Sequence, residues 1–139
     1  MSERLRETLP SGLYRSRHPE AIVDAARARG LFVARVALGR GADKAQLLAK
    51  LAAALQFPDW FGHNWDALEE CLTDLDWIAA PGVCMVVEGT HWLDARELDA
   101  FCEVLTHVAA AWTGERRAFY AVLIPGRGPL PDLDAAAGQ

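Results

Sequence analysis

The chain has 139 residues, 52% of them hydrophobic and 24% charged, enough for one folded domain with a buried core and too little for two. Its 14 Lys and Arg against 19 Asp and Glu give a formal net charge of -5, which argues against nucleic acid as a partner and for basic proteins. No run approaches the roughly 18–20 consecutive apolar residues that cross a bilayer, and MSERLRETLP lacks the apolar stretch of a signal peptide, so a cytoplasmic protein with no membrane partner is expected.

Residues 1–30 read as an N-terminal extension with six Arg against four acids. Within it, LYRSRHPEA offers a short edge strand and a covering helix, or else a mobile arm. PEAIVDAARARG opens on Pro19, sets Ile22, Val23 and Ala26 on one side and stops at Gly30, which predicts a short helix. LFVARVAL at 31–38 is apolar and β-branched and runs into Gly39, Arg40 and Gly41, so a mostly buried strand and a turn are expected. Asp43, with Gln46 three residues on, caps a helix whose Leu47, Leu48, Leu51 and Leu55 repeat at helical spacing until Pro58. After the loop FPDWFGH, Asn64 caps a further helix in which Trp65, Leu68, Leu72 and Leu75 face inward. VCMVVEG at 83–89 is a continuous apolar run, too short for an independent helix, and predicts a second buried strand. Asp94 and Glu97 form an acidic capping box for a helix with Leu98, Phe101, Leu105, Val108 and Trp112 on its core side, ending near Gly114. AFYAVLI at 118–124 predicts a third strand, and PGRGPLPDLDAAAGQ has the composition of a flexible tail over 125–139.

Strands separated by helices imply parallel pairing, because a parallel return needs a connection long enough to hold a helix. The expected fold class is therefore α/β, a small three-stranded parallel sheet packed with about four helices, with the main domain over 31–124.

The usual chemical signatures are missing. There is no G-x-G-x-x-G after the first strand and no G-x-x-x-x-G-K-[ST], so neither familiar nucleotide site has its glycines. His18, His63, His91 and His107 form no i, i+4 pair, and Cys71, Cys84 and Cys102 are an odd set without metal-type spacing; neither a metal nor a cofactor is expected. Cys71 lies beside Glu70 and Asp74, which oppose thiolate formation, so it reads as buried packing. Asp66 and Glu70 at i, i+4 could act as acid and base in a small hydrolase, although neighbouring carboxylates on an exposed helix face ordinarily just stay ionised.

The charge is unevenly placed. Residues 51–95 hold no Lys or Arg and eight acids, Asp59, Asp66, Glu69, Glu70, Asp74, Asp76, Glu88 and Asp94. Once the helix after Asn64 has buried its apolar stripe, Asp66, Glu70 and Thr73 stack along an outer face, with Glu69 and Asp74 beside them. Asp66 lies in the first turn, where the helix dipole favours a carboxylate, but capping alone does not need so many acids. Just before it, Phe61 is expected to pack inward, whereas Trp60 is open between core and surface; an indole beside carboxylates suits a guanidinium-bearing partner.

The segment FPDWFGHNWDALEECLTDLDW at 57–77 resembles the barstar family of intracellular ribonuclease inhibitors. It shares a proline, two aromatics, a glycine, Asn64, the run Asp66, Ala67, Leu68, an acid at Glu70, then Cys71, Leu72 and a later Trp77. The order of elements over about 31–124 is similar too, and residues 1–30 are unmatched. The resemblance implies a barstar-like fold and a protein, not an enzyme, that binds a basic ribonuclease and occludes its active site. Acidic side chains would take the place of RNA phosphates, with a loop aromatic near the base site. By motif position the implied partner contacts are Trp60, Gly62, Asn64, Asp66 and Glu70, and the acidic ridge adds Asp74. His63, Glu69 and Thr73 are further candidates, with Asp99 or Glu97 standing for a distal acid on the last helix. At Glu70 the family's best-known member has aspartate, at His63 an acid and at Glu69 a tryptophan, so the rim differs and the cognate ribonuclease stays open. The expected role is immunity against a ribonuclease toxin of the same cell, exercised by a chain that is monomeric when free. The alternative is an adaptor whose acidic helix binds a basic protein that is not a nuclease.

Overall fold

The computed structural model describes residues 9–134. Strand β1 spans Gly12–Arg15, helix α1 Pro19–Ala28, β2 Phe32–Ala37, α2 Lys44–Ala54, α3 Trp65–Asp74, β3 Gly82–Glu88, α4 Ala95–Trp112 and β4 Ala118–Ile124, with a one-turn 3-10 helix at Thr90–Trp92. The sheet is wholly parallel in the order β1-β4-β3-β2. It has four strands where three were expected. The added strand, β1, pairs Gly12–Arg15 with Tyr120–Leu123 of β4 at the sheet edge, within the segment where a short edge strand or a mobile arm was expected; four residues are too few to say which strand they join, so the pairing is decided across the chain.

Alternation along the strands sends side chains to two cores. Ala34 and Val36, Val83, Met85 and Val87, and Phe119, Ala121 and Leu123 lie under α2, α3 and α4, packed on Leu47, Leu51, Leu68, Leu72, Phe101 and Leu105. Cys84, Val86, Tyr120 and Val122 face the other way, onto Ile22, Val23 and Ala26 of α1. With both faces covered, β3 and β4 can be apolar at nearly every position, which is why they appear in the sequence as unbroken runs.

Three helix starts use the acceptors expected of them. Asp43 Oδ1 accepts from Gln46 N at 2.9 Å, Asn64 Oδ1 from Ala67 N at 2.7 Å and Asp94 Oδ1 from Glu97 N at 3.0 Å. The capping box at Asp94 is only half closed, because Glu97 Oε2 accepts instead from Lys44 N at the start of α2, 3.2 Å away.

The segment after β4 departs from the expected flexible tail as far as Asp134. Arg15 N donates to Pro131 O and Arg15 Nε to Leu130 O, both at 2.9 Å. Arg15 also pairs with Asp132 at 3.0 Å, Ser16 Oγ donates to Asp134 Oδ1 at 2.7 Å, and Leu133 is buried. Residues 130–134 thereby cover the outer edge of β1, which would otherwise present unpaired backbone groups. The remainder of the expected tail, 135–139, and residues 1–8 lie outside the described residues.

Candidate functional site

The loop before α3 is anchored by aromatic packing. Trp77 Nε1 donates to Leu55 O at 2.9 Å, Phe57 meets the Trp77 ring edge-on at 6.2 Å, and Phe61 packs on Phe57 at 4.8 Å. Phe61 is buried, as expected. Trp60 is left outside with 60% of its surface exposed. His63 takes a left-handed backbone, φ 52°, and rests its ring on Phe61 at 4.7 Å. Asn64 Nδ2 donates to Gly62 O at 3.3 Å while its Oδ1 caps the helix, so one side chain joins loop and helix. Trp60, Gly62, His63 and Asn64 are all exposed.

Along α3 the apolar stripe fixes which side faces out. Leu68, Cys71, Leu72 and the cap residue Leu75 are fully buried, and Trp65 is half-buried against Phe101 with Lys44 Nζ 5.3 Å from its ring centre. Asp66, Glu70, Thr73 and Asp74 are exposed, and with Glu69 they border a shallow depression of about 470 Å³. Among the described residues, Asp66, Glu70 and Asp74 make no ion pair.

The other candidates behave differently. Glu69 turns to α4, where its Oε1 lies 3.1 Å from His107 Nδ1, and Asp99 is paired with Arg127. Asp99 does not border the depression, so the structure does not bring it together with the ridge there. His107, through Glu69, is a neighbour of the ridge outside the expected site residues. Its position off the stripe of Phe101, Leu105, Val108 and Trp112 was the available signal.

The arrangement suits docking better than chemistry. Asp66 and Glu70 stand exposed beside an open, shallow depression rather than in the water-excluded cleft that acid–base catalysis uses. Burial, and then the charges of Glu70 and Asp74, push the Cys71 thiol up, away from the thiolate a nucleophile needs. Burial pushes Cys84 up to about 12 and raises Cys102 as well. Among the described residues, no group of three or more His, Cys, Asp or Glu could hold a metal, and no helix is long and apolar enough to cross a membrane.

Fold and surface together define a class, a small parallel α/β protein with an acidic helix displayed on its three-helix side. Residues 31–124 match the family described as Barstar (barnase inhibitor), and the chain belongs to that family. The match starts at Leu31, so β1 and α1 fall outside it although they complete the sheet and its second core. No curated protein matches the chain significantly.

Proposed function

We propose that the protein inhibits a basic ribonuclease by laying α3 and the loop 57–64 across the nuclease active site. A ribonuclease cleft must attract polyanionic RNA, so it presents cations, and a rigid row of carboxylates is its complement. The observation that carries this reading is the exposed ridge of Asp66, Glu70 and Asp74, without an ion pair among the described residues, inside the span matched to the family. Exposed Trp60 adds a flat apolar contact at the near end, and Gly62 and Asn64 set the loop that presents it. His63, Glu69 and Thr73 form the rim. In this reading the protein turns over no substrate, acts as a monomer in the cytoplasm and serves as immunity against a toxin of the same cell.

The test is RNA cleavage by barnase, and by any basic ribonuclease captured on the immobilised chain, with and without excess free chain. Stoichiometric silencing of cleavage is expected. Asp66→Ala and Glu70→Ala should each weaken the complex by about 2–4 kcal/mol, the general range of buried interface hot spots, to which the family's best-known complex itself contributes. Unchanged affinity in both variants would reject this interface. Capture of a basic partner without silencing of any nuclease would favour the adaptor.

A further inference from the structure

We infer that Arg117 is the positioning residue of the acidic helix, an inference that rests on the docking role proposed for α3. The end of α3 is electrostatically awkward. Its last turn carries no basic residue, Asp74 is its final residue, and a helix C-terminus is itself a negative pole with unsatisfied carbonyls. The chain leaves through Leu75 in a left-handed backbone, φ 45°, and reaches β3 at Gly82 without regular structure.

Arg117, one residue before β4, supplies from a distance what the helix lacks. Its Nη1 donates to Leu75 O at 3.2 Å, its Nη2 to Ile78 O at 2.8 Å and its Nε to Ala80 O at 3.2 Å. The guanidinium carbon lies 5.2 Å from the centre of the Trp112 ring. Trp112 is stacked on Phe119 at 5.7 Å and donates from Nε1 to Leu72 O at 2.9 Å. Two side chains thus tie the last turn of α3 and its exit to the core through four hydrogen bonds. The guanidinium spreads its donors over Nε, Nη1 and Nη2 in a fixed plane and so reaches three separate carbonyls, whereas a lysine carries its three N–H donors on a single nitrogen. Arg117 and Asp74 also line one groove of about 580 Å³, so the clamp abuts the ridge. Held this way, Glu70 and Asp74 keep their register with Asp66 despite charges that would fray the helix end.

The experiment compares the full chain with Arg117→Met and Arg117→Lys. Amide exchange should quicken over residues 71–80 while β3 stays protected. With barnase as the probe, dissociation from Arg117→Met should be about tenfold faster, with association unchanged or slightly faster because a positive charge has been removed from an acidic surface. Mere loss of folded protein would lower the binding-competent fraction and leave the dissociation rate alone. In a Glu70→Gln background the effect should shrink below about twofold, since groups acting through one another are not additive. If Arg117→Met does not fold, Arg117→Lys carries the same readouts. Unchanged dissociation, losses that simply multiply, or unchanged exchange over 71–80 would each overturn the inference. Failure of the parent chain to bind barnase would count against the proposed function, and the exchange result would then decide the role of Arg117 by itself.

Discussion

Glu70→Gln should move stability and affinity in opposite directions. Glu70 lies four residues after Asp66 and four before Asp74, all exposed and, among the described residues, none ion-paired. Like charges at that spacing on a helix destabilise it by about 0.2–0.5 kcal/mol per pair, and Glu70 takes part in two such pairs. Coulomb's law gives a consistent figure: two unit charges about 7 Å apart in water repel by about 0.6 kcal/mol, and screening over a Debye length of about 8 Å more than halves it. Glutamine keeps the length and helix propensity of glutamate, so little else changes. The variant should therefore gain about 0.5 kcal/mol in unfolding free energy and about 2 °C in Tm, with a larger gain at low salt. Asp66→Asn is the control. It relieves the repulsion with Glu70 but forfeits the favourable interaction of Asp66 with the positive end of the helix dipole, so it should bring no gain. Urea unfolding followed by tryptophan fluorescence, at about 0.02 M and about 1 M salt, measures these differences. In the same preparation Glu70→Gln should bind a basic ribonuclease at least about tenfold more weakly. A loss of stability above about 0.5 kcal/mol would mean that Glu70 has an internal partner, and the picture of an unpaired ridge would be wrong.

Three further outcomes are expected. Trp60→Ala should change stability by less than about 0.5 kcal/mol, because the ring is 60% exposed, yet cut affinity for the nuclease several-fold; a fall in Tm with unchanged affinity would contradict its place in the interface. Gly89→Ala should cost about 2–4 kcal/mol in urea unfolding, since Gly89 has φ +80° and a Cβ there would lie 2.2 Å from Leu38 O. A chain as stable as the parent would refute that geometry. The third concerns alkaline pH. The Cys84 thiol is pushed up to about 12 by burial, whereas in the unfolded chain it titrates near about 8.5. The native state keeps a proton that the unfolded chain loses, so this contribution is intact below about pH 8.5 and falls away as pH rises toward 12, by up to about 1.4 kcal/mol per pH unit. Denaturant unfolding between about pH 8.5 and 10.5 should show a steeper loss in the parent than in Cys84→Ala, and equal slopes would count against the shift.

Much of the molecule is written locally. The acceptors of Asp43, Asn64 and Asp94 lie three residues from the amides they bind, so each cap is visible in a short window of sequence. The ridge is visible for a related reason. A helix phase that buries Leu68, Leu72 and Leu75 must leave Asp66, Glu70 and Asp74 outside, whatever the rest of the fold does. Features joining distant parts of the chain left no such trace. The turn of Glu97 to Lys44 N, of Glu69 to His107 and of Asp99 to Arg127 each depends on which helix or loop became a neighbour.

Sequence by itself determined the α/β alternation, the helix boundaries and the acidic face, because periodicity and capping are satisfied within a few residues. Tertiary structure alone decided that Gly12–Arg15 joins β4, that residues 130–134 close its edge, that Trp60 stays in solvent, and that Arg117 serves the carbonyls beyond α3. These outcomes depend on side chains and backbone groups dozens of residues apart finding partners once the sheet has formed. Local pattern constrains a residue's phase within its element, but not the neighbour waiting across the interface.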